Sequence, residues 1–306
     1  MRHELVNPER NNIRAALDWA IRSRRQEQGL ALANALENNW VTTDPDEGSR
    51  WIEALLELGT PPDEQLMAAL RCLGNVATLR GDVEGKRYYE QSLELARKLG
   101  DPGPIASLLH RLAVWLAREG DDAAALSLLE ESDTLNRTAR LERVDASNLS
   151  FRGDLLRRDG DLEGALPLYE ASLEQARRSG FAWWEKNVLI RMAFTLFELG
   201  SADEGLARAH DALRIAREMD DRPGLLDTLA LAARAYALRG DVFRAGWIWG
   251  AIEAEAERSP GAMWDPDDAL LAGPMRAFEG ADFERGRASG RAASLQETVD
   301  AELAGA

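Results

Sequence analysis

Along most of the chain the apolar residues recur at helical spacing. Leu108, Leu112, Trp115 and Leu116 form one stripe, and Leu189, Met192, Ala193, Leu196 and Phe197 form another, at the steps that bring side chains to one helix face. Between such stripes a Gly followed by a polar residue recurs as Gly81-Asp82, Gly120-Asp121, Gly160-Asp161, Gly200-Ser201 and Gly240-Asp241. The interval between these markers is constant, about 40 residues, and it marks a repeat architecture. Arg97, Arg137, Arg177 and Arg217 follow at the same interval, as do Ser92, Ser132 and Ser172, with Ala212 in the fourth place. Each of these Gly residues is expected to close a helix in a left-handed turn, and the Asp or Ser after it to cap the next helix.

Small residues keep the same register. Gly74, Ala113, Gly153, Ala193 and Ala233 precede the turns, and Gly85, Ala125, Ala165, Gly205 and Ala245 follow them. Small side chains facing each other let two helices approach closely, and Tyr89, Leu129 and Tyr169 beside them are expected to fill the gap to the next unit. One such unit cannot bury its own apolar face, so the units are expected to stack as a solenoid. The pattern divides into an irregular unit at 27–58 and five regular ones at 63–99, 103–138, 142–178, 182–218 and 222–258. Ile13, Ala16, Leu17, Ala20 and Ile21 predict a capping helix within 1–26. After Ser259-Pro260-Gly261 the segment 259–306 is expected to hold two closing helices, at 266–280 and 294–304. The second of these begins at the capping box Ser294-Leu-Gln-Glu297. Pro167, early in a second helix, is expected to kink it.

Composition narrows the function. Asp and Glu number 53 against 37 Lys and Arg, a formal net charge of −16, and phosphate-binding surfaces need the opposite sign. Neither direct nucleic-acid binding nor an anionic membrane partner is expected. A lone Cys72 and three scattered His (His3, His110, His210) offer no disulfide framework and no zinc ligand set. There is no apolar run long enough to span a bilayer and no secretory signal, so a soluble chain in the cytoplasm is expected. The patterns H-E-x-x-H, C-x-x-C and G-x-S-x-G are absent, as is G-x-G-x-x-G after a strand. No catalytic residue, cofactor or metal is therefore expected.

The helix, Gly-Asp turn, helix unit with small residues at its close-approach positions resembles the tetratricopeptide repeat. Its long period resembles the longer variant of MalT-like bacterial regulators. Asn12-Ile-Arg-Ala-Ala-Leu-Asp-Trp19 is similar to the entry helix of those regulators. Their C-terminal ending is resembled by Trp249-Gly-Ala-Ile-Glu253, Phe283 and Gly290-Arg-Ala-Ala-Ser-Leu-Gln-Glu297. The resemblance implies an all-α, right-handed tetratricopeptide-like α-α superhelix of about six repeats with capping helices. It also implies a non-enzymatic sensor or protein-interaction domain of a signal-transduction ATPase or transcriptional regulator. Such a domain binds an inducer or partner in its concave groove and couples that binding to self-assembly. A G-x-x-x-x-G-K-[ST] loop and a basic recognition helix are both missing. The chain is therefore read as a piece of a larger protein, whose other modules would be an ATPase and a DNA-binding effector, or as a stand-alone relative. The alternative is a constitutive protein-interaction scaffold with no small ligand.

In such a superhelix the first helix of each unit lines the groove. Counting from its small residue marks Arg71 and Asn75, then Ser107 and His110, then Ser147 and Asp154, then Asn187, Arg191 and Phe194, and finally Asp227 and Arg234. Arg71, Arg191 and Arg234 carry guanidinium forks that match carboxylate or phosphate groups of a ligand. The competing reading pairs them with Asp154, Asp227 and other acids on neighbouring helices. His110 reads more readily as an ordinary helix-surface histidine than as a ligand. Of Trp183 and Trp184, one is expected in the core and the other at the groove rim. Trp247, Trp249, Tyr88, Tyr89 and Tyr169 are expected to be structural, and Cys72 to be a buried, inert thiol.

Overall fold

The computed structural model describes residues 3–258, 275–278 and 280–305, and among these the regular elements are helices, with no strand. The chain divides into two compact units, 1–148 and 149–306. In both, consecutive helices pack in pairs, an all-α solenoid of helix-turn-helix repeats. Among the described residues no helix is long and apolar enough to cross a membrane.

The first unit opens with α1 (His3–Arg22), α2 (Gln26–Ala35), α3 (Glu37–Thr43) and α4 (Pro45–Leu56). Where one irregular repeat was expected at 27–58 there are three helices. Trp40 is buried with its indole N–H on the carbonyl of Ala33, and Asp44 accepts from the backbone N–H of Glu47 ahead of Pro45, so a new helix starts there. Leu17 and Ala20 of α1 join Leu30, Ile52 and Leu55 in one core. Then follow the pairs α5 (Asp63–Leu79) with α6 (Glu84–Leu99) and α7 (Pro102–Arg118) with α8 (Asp122–Ala139). The division between units falls within α9 (Glu142–Arg158).

The second unit continues with α10 (Leu162–Arg178), α11 (Ala182–Glu198), α12 (Ala202–Glu218), α13 (Arg222–Leu238) and α14 (Val242–Arg258). A 3-10 turn at Arg276–Phe278 precedes α15 (Ala281–Gly290) and α16 (Leu295–Ala304). Here the closing region departs from expectation. Residues 266–274 and 279 lie outside those described, 276–278 form only the 3-10 turn, and a helix that the apolar pattern does not predict occupies 281–290. The last helix does start at its capping box, with Ser294 and Glu297 bonded reciprocally. Helix α10 runs without a break through Pro167 in its second turn, so the expected kink leaves no interruption.

The turns follow the glycine register. Gly81, Gly120, Gly160, Gly200 and Gly240 have φ between 70° and 88°, a region costly for residues with a Cβ. The next N–H in each case returns to a carbonyl five positions back, as from Asp82 to Ala77 and from Asp241 to Tyr236, both at 2.9 Å. Asp121, Asp161 and Asp241 cap the following helices by accepting from Ala124, Gly164 and Arg244. Ser201 makes no such side-chain bond, so its expected cap is supplied by backbone geometry alone.

The small-residue register also has a visible cause. A Cβ on Gly74 would lie 2.5 Å from the ring of Tyr89, and one on Gly153 would lie 2.7 Å from that of Tyr169. These tyrosines therefore seat first against their own pair, while Tyr89 also joins Leu108, Leu109 and Leu112 of the next. Two serines of the repeat register brace the second helix of their pair to its first. Ser92 donates to the carbonyl of Met67 at 2.8 Å and Ser132 to that of Ala106 at 3.0 Å, both fully buried.

Candidate functional site

In the first unit the face built by α3, α5 and α7 gathers Glu37, Arg71, Asn75 and Arg111. Arg71 bonds Glu37 through its fork, at 2.6 and 3.2 Å, and Asn75 donates to the same carboxylate. The Asn75 carbonyl oxygen accepts from the hydroxyl of Tyr89 at 2.7 Å and from Arg111, whose guanidinium lies 5.8 Å from the Tyr89 ring centre. Burial pushes the Tyr89 phenol up, so it stays protonated and donates. Trp115 closes this cluster by donating to Thr78 at 3.1 Å.

In the second unit the same register repeats the arrangement with different chemistry. Asp154 of α9 accepts from Tyr169 at 2.8 Å and from Arg191 of α11 at 3.0 and 3.1 Å. Burial and the neighbouring Asp154 carboxylate push the Tyr169 phenol up. Arg191 also lies over Trp184, 5.5 Å from its ring centre, and donates to the Asn187 carbonyl. Asn75 and Asp154 each follow the small residue of a first helix, and Arg111 and Arg191 each stand two before it in the next pair. The acceptor, tyrosine and arginine thus form a triad that joins successive pairs.

Arg234 of α13 holds the position of Asn75 and Asp154 in a later pair, yet forms no triad. Its guanidinium lies 5.4 Å from the ring centre of Phe197 and 5.9 Å from that of Phe194, both on α11. It makes no hydrogen bond or ion pair among the described residues, and burial holds its pKa below the usual value against the pull of Glu198. Glu198 itself bonds Arg157, at 3.3 Å.

The expected groove residues therefore separate into distinct groups. Arg71 with Asn75, and Asp154 with Arg191, are brought together as bonded clusters, which is the acid-pairing reading for both arginines. Phe194 and Arg234 meet as an aromatic–cation contact. Asn187 is turned onto the carbonyl of Trp183 at 2.7 Å. His110 is placed 3.0 Å from Asn148, whose amide donates to Ser132 and Asp133, so its Nδ1 carries the proton in a structural link. Ser107 lies half-buried on α7, Ser147 donates to the carbonyl of Arg143 on its own helix, and Asp227 lies half-buried on α13 two turns before Arg234.

Trp183 is exposed, and Trp184, rather than lying in the core, is half-buried at its edge beneath Arg191. Cys72 is fully buried and its thiol is pushed up to about 12 by burial, so it is inert. Sequence reasoning missed Glu37, Arg111, Arg157 and Glu198. Arg111 carries a signal, because it stands two repeats before Arg191 in the same register. Glu37 carries none, since it belongs to the irregular first repeat.

Comparison with known proteins places part of this architecture. No curated protein matches the chain. The crystal structure of BtubC (BKLC) from P. vanneervenii is similar over 91% of this chain and 93% of its own, at 17% identity and a TM-score of 0.48. The tetratricopeptide repeat family matches residues 65–132, from α5 into α8. Residues 65–132 are thus similar to the tetratricopeptide repeat.

Proposed function

We propose that this chain is a non-enzymatic interaction domain whose first-helix faces receive a partner, as the concave groove of the repeat resemblance implies. We further infer, from the resemblance of its ends and period to MalT-like regulators, that it serves as the sensor region of a signal-transduction ATPase and couples binding to self-assembly. The observation that carries the reading is the pair of acceptor–tyrosine–arginine triads. Braced by buried tyrosines from the second helices, they hold partly exposed charged and polar side chains in fixed positions on the first-helix faces, where a purely structural face needs only small and apolar ones. A constitutive scaffold is the second reading. It is favoured by Arg71 and Arg191 being already satisfied by Glu37 and Asp154, which makes the lining rigid before any ligand arrives.

A selection of displayed random peptides on the purified chain, run beside a thermal-shift screen of sugars, nucleotides, amino acids and organic anions, tests both. A ligand at a hundredfold excess over its Kd stabilises the fold by about 2.7 kcal/mol. A small-molecule hit accompanied by a change of assembly state in light scattering supports the sensor. Peptide binding with a flat small-molecule screen and unchanged assembly supports the scaffold. If nothing binds in either arm, the interaction reading fails.

A further inference from the structure

Arg234 stands apart from the other cations of the first-helix faces. Arg71, Arg111 and Arg191 each bond an acceptor on a neighbouring helix. Arg234, at the position where the first two triads place an acceptor, has only the rings of Phe194 and Phe197 against it. An aromatic face attracts a guanidinium but takes none of its N–H donors, so the fork keeps its full hydrogen-bonding capacity. Glu198, the carboxylate whose charge acts on it, is engaged by Arg157. A half-buried, partly desolvated cation with free donors binds an anion more strongly than an exposed one does, because water competes less for it.

We propose that Arg234, backed by Phe194 and Phe197, is a seat for a carboxylate side chain of an acidic segment in a protein partner. This deepens the interaction reading above and rests on it. A planar monoanion fits better than a phosphate dianion. A single guanidinium supplies one fork, and the residual negative potential of Glu198 opposes a second negative charge. The seat also continues along α11 into Asn187 and the exposed Trp183, which stand two and three turns before Phe194 on the same helix. That length suits an extended segment better than a free ion.

The test uses the full chain and the peptide selection. Wild type is expected to enrich peptides containing Asp or Glu. Replacing the acidic residue of the best peptide by its amide is expected to weaken binding about tenfold. Arg234→Gln should erase that difference while leaving the melting midpoint and the affinity for the amide peptide unchanged. Arg234→Met, which keeps the apolar stem on the rings, serves as a second uncharged variant if Arg234→Gln does not fold. Equal binding of acidic and amide peptides, or the same difference in both variants, overturns the seat and leaves the interaction reading standing. Displacement of the acidic peptide by inorganic phosphate at matched ionic strength, in wild type but not in the variants, assigns the seat to free anions and overturns the acidic segment. If no peptide is enriched at all, the seat falls, and the interaction reading falls with it only when the small-molecule screen is flat as well.

Discussion

The contact between α14 and α15 yields the sharpest stability prediction. Gly246 and Gly250 on α14 face Gly286 and Gly290 on α15, one helical turn apart in each case, so every glycine Cα meets a backbone carbonyl of the other helix. A Cβ on Gly250 would strike the carbonyl of Arg287, and one on Gly290 that of Trp247, both far inside the 3.0 Å that real Cβ atoms respect. Gly290→Ala therefore has to part the helices by at least about 1 Å, since the obstacle is backbone rather than a movable side chain. The parting lifts Phe283, now 1% exposed, from its seat and strains the fork between Arg287 and Glu253 at 2.7 Å. Exposing a Phe costs about 1.5–3 kcal/mol and overpacking about 1–3, so a loss of about 3 kcal/mol is expected. That corresponds to a fall in Tm of roughly 5–10 °C. Urea unfolding gives the magnitude. Hydrogen exchange locates it, with faster exchange confined to α15 and α16 because stacked helix pairs depend mainly on their nearest neighbours. Gly280→Ala, whose Cβ would meet nothing within 4 Å, is the control. The double variant Gly250→Ala with Gly290→Ala should lose less than the sum, because the first substitution has already opened the seam. An unchanged Tm for Gly290→Ala, or strict additivity, would refute the close backbone approach.

Three further predictions concern the first unit. Asn136 is buried with neither amide atom bonded among the described residues, at the position that Ala96, Ala176 and Ala216 fill in other pairs. Asn136→Ala should therefore stabilise by about 1 kcal/mol in denaturant titration. Arg140 adopts φ 55° where Gly100 and Gly180 stand in the same register, and Arg140→Gly should raise Tm by roughly 1–3 °C, an effect that a shift to negative φ in the variant would contradict. Glu47, held by hydrogen bonds from Arg14, Trp51 and Arg10 despite its burial, has its carboxyl lowered from the ordinary 4.5 to about 2. Its stabilisation is therefore complete above pH 4.5 and lost as pH falls toward 2, and Glu47→Gln should be less stable at neutral pH with a flatter acid limb in unfolding followed by circular dichroism.

The parts of the fold that repeat are legible in the sequence, and the parts that fall outside the repeat are not. A glycine whose φ must be positive recurs at every turn of the register and a serine that reaches a first-helix carbonyl in several, so Gly120, Gly160, Ser92 and Ser132 announce their roles by position. The seam of Gly246, Gly250, Gly286 and Gly290 obeys the spacing of a single helical turn instead. It is split between two helices, one of them unmarked by the apolar pattern, and nothing in the long period points to it. The candidate site lies between these cases. Helical phase alone decides which residues share a first-helix face, so that lining can be read from any single repeat. Its chemistry cannot, because one repeat is too short a window. Asn75 and Asp154 stand two repeats apart, as do Arg111 and Arg191, and Tyr89 and Tyr169. Between them the same positions hold the apolar Val114, Leu129 and Phe151. With that double period, Arg234 is the next member of the Asn75 and Asp154 series, two repeats on, and it breaks the series by putting a donor where an acceptor belongs. A repeat array keeps what stacking requires at every turn of its register. The position that keeps the register and reverses the chemistry is where stacking no longer accounts for the residue, which is why the anion seat is proposed there.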